Sequence, residues 1–234
     1  MKRSNFYIMV LGVVLCMVSC KNSSKTELID HEIKVYHQAL NMDDDLTAIH
    51  AMQSILAWDS TQTKYYDTLA LLFFHTQNYL GATHCARLVL EKDPNNADIL
   101  ALAGNSYQEL GRFDLAIPVY AKLMEVKPNI VLNYELAKCN LYSQDTAGAH
   151  KYINVMLHDK SSDSTKINIA YNSDHDHQMV SLKAAAYNLL GSMQIGQEKR
   201  SEALLSFQKA LAIFPGFELA KQNINIVKSG VTQK

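Results

Sequence analysis

The sequence predicts an all-α fold, a helical solenoid of stacked hairpins, and three observations carry that expectation. Alanine returns every 34 residues, at Ala48, Ala82 and Ala116, each inside a short helix-turn-helix pattern, and a period of about that length marks a helical repeat array. In phase with it, Asp93-Pro94-Asn95 recurs as Lys127-Pro128-Asn129, and Phe214-Pro215-Gly216 echoes the same stop near the C-terminus. Only 4 prolines occur in 234 residues. Three follow expected helices, and Pro118 falls early in one, where a missing N–H does least harm. At 48% hydrophobic and 19% charged residues, the chain has the make-up and the length to bury a core.

At the N-terminus, Lys2 and Arg3 precede an apolar run over 6–18 that ends at Ser19-Cys20. Charge, apolar run and small residue in that order make a secretory leader of residues 1–19. At about 1.5 Å per helical residue the run reaches roughly 20 Å, short of the ~30 Å hydrocarbon core, which disfavours a permanent span. Met17-Val18-Ser19-Cys20 resembles the bacterial lipobox, with Met17 where Leu is commoner. That resemblance implies that Cys20 is the lipidated first residue of the mature protein, in preference to an ordinary leader in which Cys20 has no role. Residues 20–27 then read as the lipidated cysteine and a short polar tether. Lys21 follows Cys20, so the aspartate that lipoproteins of this kind use for inner-membrane retention is missing. The expected location is the bacterial cell envelope, lipid-anchored on the outer membrane and facing the periplasm.

Residues 28–158 hold four hairpins, starting near Ile29, Thr63, Ala97 and Val131, and residues 184–216 hold a fifth from Ala184. In the third, Leu100, Ala103, Gly104 and Tyr107 share one face of the first helix. Gly111-Arg112-Phe113-Asp114 makes the turn, and Ala116, Tyr120 and Leu123 line the second helix before Pro128. These residues resemble the tetratricopeptide repeat family, whose pattern wants a large residue, Leu-Gly and Tyr on the first helix, then Ala, an aromatic, Ala and Pro on the second. The resemblance implies a right-handed α-solenoid that binds protein or peptide segments. Physically, Gly104 and Ala116 are small where two helices cross closely, and Tyr107 and Tyr120 fill the space beside them.

The other hairpins match in part. The fifth has Tyr187, Leu190-Gly191, Ala203, Phe207, Ala210 and Pro215, with Gln194 in place of the usual Tyr. The second has Tyr66, Leu69-Ala70, Phe73, Ala82 and Pro94, and the first keeps phase through Ala48, Met52 and Ile55. The fourth keeps Tyr134, Ala137 and Leu141, then shortens its turn by one residue so that Ala149 takes the small position.

Over 159–183 the period breaks. After a linker at 160–164, Ile167, Ile169 and Tyr171 alternate with polar residues, and Val180 and Leu182 do so again across the turn-forming stretch 172–177. That pattern predicts an inserted β-hairpin, and insertions in repeat arrays often sit on a binding face. Over 217–234, Leu219, Ile224 and Val227 set against Lys221, Gln222 and Asn225 predict a capping helix and tail.

Of the 22 basic residues, Lys2 and Arg3 belong to the leader, so the remainder is outweighed by 23 acidic ones. That balance gives no electrostatic footprint for nucleic acid. There is no Gly-x-Gly-x-x-Gly, Gly-Lys-Ser/Thr, His-Glu-x-x-His or Gly-x-Ser-x-Gly, so neither nucleotide cofactor nor catalysis is expected. His175-Asp176-His177 lacks assignable third and fourth metal ligands and reads as a polar turn. Asp43-Asp44-Asp45 reads as a turn and helix start, where carboxylates meet the positive end of the helix. Cys85 on a second helix and Cys139 on a first helix two repeats on lie too far apart for the ~5.5 Å Cα separation of a disulfide, so two free thiols are expected.

The first helices give a candidate groove: Asp67, Leu71 and Phe74 in the second hairpin, Ala101, Asn105 and Gln108 in the third, Glu135, Cys139 and Tyr142 in the fourth, and Asn188 and Ser192 in the fifth. Asn105 stands where the family often has an amide that grips a peptide backbone. Asp67 and Glu135 replace the basic residues that resembling proteins use to clamp acidic tails, so the expected ligand is an apolar or basic segment. The expected function is a membrane-anchored scaffold or adaptor in the envelope, as a monomer or within a hetero-complex. The alternative is an accessory subunit of an outer-membrane or pilus assembly machine, binding through the convex face and the β-hairpin.

Overall fold

The computed structural model describes residues 24–171 and 176–229. The leader, Cys20, Lys21 and the 172–175 turn with His175 lie outside the described residues. The chain divides into two units, residues 1–94 and 95–234.

The first unit holds two hairpins, α1 (24–41) with α2 (Asp45–Trp58), and α3 (Tyr66–His75) with α4 (Tyr79–Leu90), with a 3-10 turn at Thr63–Tyr65 leading into α3. Its core is the small-plus-large set the period demands: Ala48, Met52, Ile55, Leu69, Ala70, Ala82 and Ala86 are all buried. Asp44 and Asn78 cap the second helices, their side-chain oxygens accepting from the N–H of Thr47 (3.1 Å) and Gly81 (3.0 Å). Each satisfies one donor that the helix start leaves open.

The second unit holds α5 (Ala97–Glu109) with α6 (Phe113–Val126), α7 (Leu132–Tyr142) with α8 (Thr146–His158), and α9 (Leu182–Gly196) with α10 (Arg200–Ile213), followed by α11 (Glu218–Ser229). The two glycines of its Leu-Gly-type positions are steric necessities. A Cβ on Gly104 would sit 2.6 Å from the Tyr120 ring, and one on Gly191 2.5 Å from the Phe207 ring. Pro118 falls in the second turn of α6 and not the first. One intrahelical bond is therefore absent, on an exposed stretch of the helix where solvent can satisfy the carbonyl.

Each hairpin turn carries one left-handed residue: Asp43 (φ 54°), Gln77 (60°), Gly111 (67°), Gln144 (64°) and Glu198 (62°). The first four positions are 34, 34 and 33 residues apart, so the shortened fourth turn appears directly in the backbone. Only one of the five is glycine.

The insert is β1 (Lys166–Ala170) paired antiparallel with β2 (His177–Ser181), Ile167 opposite Val180 and Asn168 opposite Met179. Ile167, Ile169 and Val180 face inward and join Tyr134, Ile153, Met156 and Leu189 in the main core of this unit. Leu182, expected in the strand alternation, is instead the first residue of α9. Ser181 ends the strand and caps the helix, its hydroxyl accepting from the N–H of Ala184 (3.2 Å). From β2, Gln178 donates to the Gly216 carbonyl (2.6 Å) and accepts from the N–H of Glu218 (3.0 Å), which ties the insert to the start of α11. Among the described residues, five hairpins, a capping helix and an inserted β-hairpin are thus the fold observed.

Candidate functional site

In the first unit, Asp67, Leu71 and Phe74 stand at i, i+4 and i+7 of α3 and so share one stripe. Asp67 and Leu71 are exposed, and Phe74 is half-buried with its ring edge-on to Tyr79 at 5.6 Å.

The second unit has the more elaborate face. On α5, Ala101, Asn105 and Gln108 follow the same spacing, and Asn105 is exposed. The Tyr120 hydroxyl, reaching across from α6, donates to Asn105 Oδ1 (2.7 Å) and accepts from Gln108 Nε2. Gln108 also donates to Glu135 Oε2 on α7 (2.8 Å), which pairs with Lys138 Nζ at 2.8 Å. Three helices are therefore joined by one polar chain whose outer end is the Asn105 amide. Because Asn105 Oδ1 is engaged by Tyr120, what the amide offers outward is its pair of N–H donors. Burial, aided by Glu135, pushes the Tyr120 hydroxyl up, so it remains a neutral donor at every physiological pH.

Two of the expected groove residues lie inside. Cys139 is 0% exposed, although it shares a stripe with Glu135 and Tyr142, because α7 is packed against α9 as well as against α6 and α8. Burial pushes its thiol up to about 12, against a smaller opposing effect of Lys138. Cys85 is pushed up to about 11 by burial. Both are free and buried, hence protonated and poor nucleophiles. Asn188 is 4% exposed, and its Oδ1 accepts from Asn223 Nδ2 of α11 (2.9 Å). The capping helix covers that part of α9. Ser192, in register with Asn105, turns its hydroxyl back to the Asn188 carbonyl (3.2 Å). Tyr142 is exposed and stacks on Phe113, ring centres 5.0 Å apart and 20° from parallel.

Two members of the network, Tyr120 and Lys138, were not among the expected site residues. Lys138 was detectable as the i+3 partner of Glu135 on a helix. Tyr120 carried a subtler signal: the equivalent residue facing Gly191 is Phe207, so the hydroxyl is an addition that a buried position must satisfy. A cavity of about 350 Å3 lies between α8, α9 and α10, lined by Thr146, His150, Leu190, Met193, Gln194 and Glu202 among others. It opens where Gln194 replaces the tyrosine of the repeat pattern. His177 is exposed at the start of β2, opposite Ala170.

Helical hairpins with Gly-on-aromatic crossings and an exposed polar face on the first helices define a tetratricopeptide-type repeat fold. Residues 97–130, the hairpin that carries Asn105 and Tyr120, match the tetratricopeptide repeat family. Among solved structures, YrrB, a TPR protein with an unusual peptide-binding site, is similar at TM-score 0.62 and 16% identity, covering 85% of this chain and 96% of that one. A MamA protein is similar at 0.55 and 21%, covering 72% and 81%. The 41-end piece of MamA from Desulfovibrio magneticus RS-1 is similar at 0.59 and 11%, covering 82% and 97%. No curated protein matches the chain. At these identities the likeness is one of fold.

Proposed function

We propose that the chain is a lipid-anchored adaptor of the bacterial cell envelope, held through Cys20 in the outer membrane and facing the periplasm, that grips a partner protein segment with its first helices. The observation that carries the binding role is the Asn105 amide, exposed at the end of a polar chain that fixes its orientation. Outward N–H donors on a rigid element suit the main-chain carbonyls of a bound segment, which gives affinity without demanding one sequence. Lys138 neutralises Glu135, so the second unit favours an apolar segment, while exposed Asp67 and Leu71 in the first unit favour a basic or apolar one. The peptide-binding site of YrrB supports the same use of a similar fold.

Asn105→Asp tests the reading. The carboxylate still accepts from Tyr120 but presents oxygen where N–H stood. Recovery of the partner by mild crosslinking of the native, membrane-anchored protein should fall about tenfold, the equivalent of one lost hydrogen bond of about 1.4 kcal/mol, with the melting temperature unchanged. Undiminished recovery sinks the assignment.

A second reading, an accessory subunit of an outer-membrane or pilus assembly machine, is favoured by one feature. Met179 is exposed on the outward face of the insert, whose inward face is packed into the core. Met179→Asp would then abolish assembly and leave capture through Asn105 intact.

A further inference from the structure

We infer that the anchor-proximal end of the first hairpin, marked by Leu28 and Trp58, is a lipid-contact surface that rests in the headgroup region of the membrane. The inference builds on lipidation at Cys20. Leu28 and Trp58 each stand 15 residues from Asp43, the left-handed turn residue of the hairpin. In an antiparallel pair rising about 1.5 Å per residue, both therefore lie at the same end, roughly 22 Å from the turn. Lys25 is close enough to Asp59 to help hold that carboxyl below its usual range, behind the hydrogen bonds from Thr61 and Gln62, so the start of α1 and the end of α2 meet at one end of the hairpin. Leu28 is 43% exposed and Trp58 49% exposed, so that end presents two large apolar side chains outward.

The tether decides what that end meets. Three residues separate Cys20 from Ser24, where α1 begins, and the four steps between them span at most about 14 Å even when fully extended. Acyl chains on Cys20 thus hold this end of the hairpin within about 14 Å of the interface, next to a headgroup layer roughly 5–8 Å thick on each side of the bilayer. Tryptophan favours that layer, since its ring is apolar and its N–H is wet, and lysines beside it can extend their charge to water.

Trp58 is the sole tryptophan of the chain, so its fluorescence reports on this surface alone. The full-length protein, purified in detergent from the membranes of its native cells, would be placed on phosphatidylcholine vesicles with brominated acyl chains and checked for flotation and helical circular dichroism. The emission should shift to the blue and lose most of its intensity to bromine. Leu28→Asp should reduce the quenching while the protein still floats. A protein that floats, stays folded and keeps unquenched, red-shifted emission overturns the lipid-contact surface and leaves the anchor standing. A protein that does not float overturns the anchor and this inference together.

Discussion

A few single residues decide both the shape of a hairpin and what its face can do. Gly104 lets Tyr120 approach α5 closely enough for the tyrosine hydroxyl to reach Asn105 and Gln108. Gly104→Ala should therefore cost about 1–3 kcal/mol by overpacking and also displace the outward amide. Gly191→Ala should cost a similar amount, with no effect on binding through Asn105. Thermal denaturation of the two variants beside partner capture separates these outcomes. The turn residues predict the opposite sign. Gln144 holds φ 64°, a left-handed conformation that is costly for any residue with a Cβ. Gln144→Gly should gain about 0.5–1 kcal/mol, read as a melting temperature a few degrees higher.

Among the elements, the insert has the role least suited to its place outside the repeat period. It is a wedge that fills the core of the second unit through Ile167, Ile169 and Val180 and steadies α11 through Gln178. Deleting residues 165–177 should collapse the cooperative melt of the second unit, since it removes Ile167 and Ile169 from buried positions at about 2–5 kcal/mol each and leaves Val180 without its partner strand. A melt that keeps its midpoint would show that the strands are an appended arm. The alternation of Ile167, Ile169 and Val180 made the strands legible in the sequence, and the 34-residue alanine period made the hairpins so. The strand-to-helix switch at Ser181 was not legible, because Leu182 fits both periods and only the cap geometry decides between them. Cys139 stands 34 residues after Asn105 and on the stripe of Glu135 and Tyr142, so its burial comes from what packs on α7, including α9, and not from a pattern within α7. Asn188 was hidden by the docking of α11, which no local pattern around α9 encodes.

At the scale of the whole molecule, two units of helical hairpins present exposed first-helix faces, and the lipid anchor proposed at Cys20 would hold them near a membrane. The order of the hairpins and the position of the Asn105 amide could be read from the period and the repeat pattern. The polar chain behind that amide required three helices to be brought together in space. The most direct test of the adaptor role is site-specific photocrosslinking in the native cells, with a photoreactive residue at position 105 on the first-helix face, at 125 on α6, or at 179 on the insert. An adduct to one protein from position 105, absent from 125 and 179, is the predicted result. Adducts from 125 or 179 with none from 105 would contradict it.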